Sequence, residues 1–149
     1  MDGELQAIAA KLLLTVHLLA GYPVPDRAPP VALVPHQELA SLTCLGNCNV
    51  RGAFLPGRGV LLGDELDPVH DDQARSVLLH ELIHAAQDAA GRYAERPPCE
   101  RYLLREQEAY AVENRYLERR GLPADSGLML MLQTWSFAGC EAAAAQAVR

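Results

Sequence analysis

"LLHELIHAAQ", residues 78–87, places His80 and His84 four positions apart, with Glu81 directly after the first. On an α-helix positions i and i+4 lie one above the other, so the two imidazoles face a common point. Two neutral imidazoles so placed suit Zn²⁺, which takes nitrogen ligands at about 2.0–2.1 Å in a tetrahedral set. Glu81 lies about 100° round the helix from His80, where it reaches a water on the metal without itself being a ligand. The competing explanation is a core helix with two satisfied histidines. Val77, Leu78, Leu79, Leu82, Ile83, Ala85 and Ala86 make the helix apolar on most sides, and histidines there are costly unless ligated or hydrogen-bonded. A metal site is the expectation taken forward.

Asp71 or Asp72 can cap this helix, which runs over residues 73–90 and stops at Gly91. A second helix opens after Pro97-Pro98 and runs to Arg120, where Gly121 and Pro123 end it. A third is expected from about residue 125, with Met129, Met131 and Trp135 in its core face. Upstream, "VRGAFLPGRGVLL", residues 50–62, reads as a β-hairpin about a Pro-Gly-Arg-Gly turn. "VALVP" reads as a short buried strand, and "HQELASLTC" as one or two helical turns. Residues 59–62 are expected to be an edge strand beside the metal helix, able to hold an extended peptide by β-addition. Leu5, Ile8, Leu12, Val16 and Leu19 recur at helical spacing and predict an amphipathic first helix, ended by the Pro-rich residues 21–30. The result is one α+β domain over residues 1–149, strands early and helices late.

A catalytic zinc usually keeps three protein ligands and one open position. The second long helix offers Glu106, Glu108 and Glu113 in "LLREQEAYAVENRYL". Glu106, Tyr110 and Glu113 share one face by i, i+4, i+7 spacing, while Glu108 points about 200° away from Glu106, so only one of Glu106 and Glu108 can face the metal. Glu108, Arg115 and Glu118 are expected on a solvated, salt-bridged face.

"HELIH" followed by "EQEAY" resembles the gluzincin-type zinc metallopeptidases, including their small minimal-domain forms, over about residues 72–118; the chain is similar to bacterial proteins of that kind. The resemblance implies a zincin-like fold, Zn²⁺ as cofactor, and His80, His84 and Glu106 as its ligands. Ala109 becomes the small packing residue, and Tyr110 the residue beside the ligands, where the group commonly has aspartate or asparagine. The implied reaction is hydrolysis of a peptide bond in a peptide or protein substrate. Glu81 is the general base that activates the zinc-bound water, and Tyr110 orients or stabilises the oxyanion. The alternative is a non-catalytic, zinc-stabilised interaction module using the same ligands, though a chain of 149 residues hardly needs a metal to fold.

The net charge of −6 argues against a nucleic-acid or anionic-membrane partner. The apolar run over residues 8–20 is broken by Lys11 and His17, is too short to span a bilayer, and lacks the basic leader of a signal peptide, since Asp2 and Glu4 precede it. Four cysteines admit a structural zinc site, buried thiols or disulfides; the expected pairs are Cys44–Cys48 and Cys99–Cys140, which tilt toward an extracytoplasmic, oxidising compartment. His70 is expected to be an exposed loop residue, and His17 and His36 carry no expected function.

Overall fold

A computed structural model describes residues 2–44 and 50–125. Its elements are α1 (Asp2–Ala20), β1 (Val31–Val34), α2 (His36–Cys44), β2 (Gly52–Leu55), β3 (Gly59–Gly63), α3 (Asp72–Ala90) and α4 (Pro98–Arg119). The sheet order is β1-β3-β2, with β1 parallel and β2 antiparallel to β3. The fold is therefore α+β, a small early sheet followed by two long helices. The expected third late helix, with Met129, Met131 and Trp135, lies outside the described residues.

One expectation about the sheet is corrected. β3 is not an edge: it pairs with β1 on one side and β2 on the other, and all five of its residues are buried. An unbroken apolar run is what a strand covered on both faces requires. Val60 and Leu62 point to the main core with α1, α3 and α4, and Leu61 points to the opposite face with Val34 and Leu39 of α2. The edge facing α3 is β2. Glycine is required where β3 begins, because Gly59 has φ +105° and a Cβ there would lie 2.3 Å from the Pro30 carbonyl oxygen.

The helices end where their sequence signals place them. Asp71 caps α3 by accepting from the Gln73 amide. Gly91 closes it in the left-handed conformation, with Gly91 N–H donating to Asp88 O and Arg92 N–H to Gln87 O. α4 opens with proline in its first turn and ends on the same hydrogen-bond pattern at Gly121 and Leu122. α1 buries Leu5, Ala9, Leu12, Leu13, Val16 and Leu19, close to the expected stripe. At 19 residues it is longer than the run counted in the sequence, and long and apolar enough by composition to cross a membrane. Six of its side chains join the core shared with α3, while Leu14 and Leu18 are exposed.

Cys99 is disulfide-bonded at the start of α4. The expected pairings rest on Cys48, Cys140 and the Cys44 side chain, all outside the described residues.

Candidate metal centre

α3 and α4 pack against each other and bring His80, His84 and Glu106 to one point. His80 Nε2 lies 3.1 Å from Glu106 Oε2, His84 Nε2 lies 2.9 Å from Glu106 Oε1, and the two Nε2 atoms are 3.1 Å apart. Ligands of a tetrahedral zinc at about 2.0–2.1 Å stand roughly 3.3–3.4 Å from one another. The two Nε2 atoms each face a different oxygen of Glu106, and one ligand atom from each of the three residues lies within 4.8 Å of the others, a spacing that small side-chain shifts bring to that of such an ion.

The other nitrogen of each ring is already engaged, which determines the tautomers. His80 Nδ1 donates to Glu113 Oε2 at 3.0 Å, and the Ser76 hydroxyl donates to the other Glu113 oxygen at 3.1 Å. His84 Nδ1 donates to Gln87 Oε1 at 2.8 Å. The amide of Gln87 can face only one way, because its nitrogen donates to Arg105 O at 3.0 Å and to Glu108 Oε1 at 2.9 Å. The Tyr22 hydroxyl donates to the same Glu108 oxygen. Once the rings are neutral, both Nε2 lone pairs face the site, the arrangement that orients imidazoles for a metal.

Tyr110 stands beside the ligands as expected, and the reading of Glu108 changes. Tyr110 lies edge-on to His80, with ring centroids 4.4 Å apart, while that histidine donates its Nδ1 hydrogen bond to Glu113. Position i+7 from Glu106 returns to within about 20° of it, whereas i+4 overshoots by about 40°. Glu108 is not a solvated side chain: it is half-buried and holds Gln87 and Tyr22 together. Arg115 and Glu118 are exposed, and so is His70, paired with Asp67 at 2.9 Å. Sequence reasoning gave Gln87 and Tyr22 no role, and placed Glu113 on the metal face only as a candidate carboxylate. The available signals were the i+3 spacing of Gln87 from His84 and the i+7 spacing of Glu113 from Glu106.

Glu81 is 93% buried and lines both clefts that meet at the centre. One, of about 590 Å³, runs past His84 between β2 and the start of α4. The other, of about 310 Å³, lies on the side of His80, Tyr110 and Glu113. β2 passes so close to α3 that a Cβ on Gly52 would stand 2.8 Å from Leu62 Cδ2 and 3.2 Å from Glu81 Cγ. A glycine there lets the strand lie directly against the glutamate.

Three carboxylates, Glu81, Glu106 and Glu113, surround two imidazoles, so the centre calls for positive charge. Burial disfavours charged His80, but its hydrogen bonds to Glu106 and Glu113 and the field of Glu81 prevail and raise its pKa to about 10. His84 moves upward against the same burial, through Glu106 and Glu81. Burial works to raise Glu106, yet its bonds from His80 and His84 hold it at about 2. Burial raises Glu113. A group whose folded pKa exceeds its unfolded value stabilises the fold below the unfolded value and loses that contribution as pH rises through the folded one. The metal-free chain is therefore expected to lose stability between about pH 6.5 and about pH 10, as His80 gives up its proton. Thermal melts of chelator-treated protein across that range check this; a melting temperature that is flat or rising would contradict it. A metal would displace the same protons, so its uptake should release acid.

Compared with protein-family models, with curated proteins and with solved structures, the chain matches none.

Proposed function

We propose that this chain is a zinc-dependent peptidase of the zincin-like, gluzincin type, with His80, His84 and Glu106 as the ligands. The observation that carries the proposal is the convergence of three donor atoms of the right chemistry, both imidazole tautomers fixed from behind, at the junction of two clefts that Glu81 also lines. When bound, Zn²⁺ supplies Lewis acidity to a water and to a substrate carbonyl.

The remaining work falls to the chain. Glu81 takes a proton from the attacking water and returns it to the leaving amine. Tyr110 has its pKa raised, chiefly by burial, and so stays a phenol at neutral pH, able to donate to a developing oxyanion. Among the described residues β2 is an outer strand, and its residues Gly52, Ala53 and Phe54 line the larger cleft. That favours an extended peptide added to its free edge, in place of the β3 edge expected from sequence.

The test is cleavage of mixed peptide pools followed by mass spectrometry. Cleavage that stops with a chelator and returns with zinc is the expected result; a zinc-loaded chain that cleaves none of the pools would favour the interaction module.

A further inference from the structure

Arg101 stands on the α4 wall of the larger cleft, one helical turn from Arg105, which lines the same wall. Its Nε is fully buried and has no hydrogen-bond partner, and among the described residues no carboxylate pairs with its guanidinium. Arg105 is engaged differently: its Nε and one terminal nitrogen both donate to the Arg92 carbonyl, a neutral acceptor.

Several costs meet at Arg101. An N–H removed from water without an acceptor is unfavourable. A cation in the first turn of a helix opposes the helix dipole. Among the described residues no ion pair offsets the charge at that place. Cys99, two residues earlier, is disulfide-bonded, which ties down the turn that carries Arg101.

We infer that Arg101, supported by Arg105, forms a carboxylate-binding subsite in the cleft, so that the peptide taken by this site carries a carboxylate near the bond attacked. The inference rests on the peptidase proposal for its ligand class. The whole chain carries a net charge of −6, a field that repels acidic peptides, so accepting one requires local positive charge. Guanidinium is suited to this, since its planar fork can grip both carboxylate oxygens. Five residues of helix separate Arg101 from Glu106, a rise of about 7.5 Å. In an extended peptide that distance is about two residues. The carboxylate is therefore either an acidic side chain within a couple of residues of the scissile bond or the peptide's own C-terminus.

The experiment measures equilibrium binding to zinc-loaded Glu81→Gln protein, so that no turnover is needed. The probes are N-terminally blocked peptide pools in matched pairs. One arm compares internal glutamate with glutamine, the other a free C-terminus with an amide. The expected result is that the carboxylate member of at least one pair binds about tenfold more tightly or better. In Arg101→Gln that preference should shrink to about twofold or less, with zinc content unchanged. Arg101→Lys keeps a cation on a similar stem and should fall between, which guards against a folding defect in the glutamine variant. Equal binding in both arms, no binding of any pool, or a preference that survives Arg101→Gln would overturn the subsite. The peptidase proposal fails separately: a chain that binds carboxylate peptides through Arg101 and cleaves none loses the enzyme and keeps the subsite. A chain that cleaves without preference does the reverse.

Discussion

Replacing Glu81 by glutamine is expected to leave zinc content and melting temperature near those of the unaltered chain while hydrolysis falls roughly 10²- to 10⁴-fold. The substitution keeps the size of a side chain that is nearly fully buried and is not one of the three donors, but removes its ability to accept a proton. A module that uses zinc only to hold its helices together would not register the change. Peptide-pool cleavage by both proteins, at matched zinc occupancy, decides the matter. Equal activity of the two would remove Glu81 from the chemistry.

The second large effect concerns the carboxylate behind His80. Glu113→Gln should weaken zinc binding by roughly 10- to 100-fold, because the charge that raises the basicity of the ligand is lost while the side chain keeps its shape. Tyr110→Phe, on the same face, should leave zinc affinity unaltered, since the phenol ring meets His80 only edge-on. Competition with a chelator of known affinity measures both. If Tyr110→Phe weakens binding and Glu113→Gln does not, the support of His80 is assigned to the wrong residue. Glu108→Gln should have a smaller effect than Glu113→Gln, since Glu108 reaches His84 only through Gln87.

The contrast between Tyr110 and Glu113 also marks where sequence stops being informative. Spacing within one helix was legible: the i, i+4 histidines, the Asp71 cap and the Gly91 stop are all local, and each appears in its expected place. Spacing along α4 narrowed the third donor to Glu106 or Glu108, and the packing of α4 on α3 turns Glu106 toward the histidines. Which further residues meet from separate elements depends on the offset and rotation of one helix against the other, which no single-helix pattern encodes. Glu113 meeting Ser76, and Glu108 meeting both Gln87 and Tyr22, are of this kind.

The sheet illustrates the converse. "GVLLG" carried the signature of a strand buried on both faces, and the hairpin turn before it left β2 outside. The signal for an interior strand was present and outweighed by the expectation of a substrate-binding edge. Arg101 was invisible for a different reason. An arginine in a charged helix reads as solvated until its Nε is found buried in the wall of a cleft.

The most direct test of the account is the zinc stoichiometry of the purified chain, measured by elemental analysis beside His84→Ala. His84 supplies one of three donor atoms, and the two that remain form a much weaker site. About one zinc per chain is expected, lost on substitution of His84. A chain that holds no zinc after growth in zinc-replete medium and takes up none on titration would contradict it.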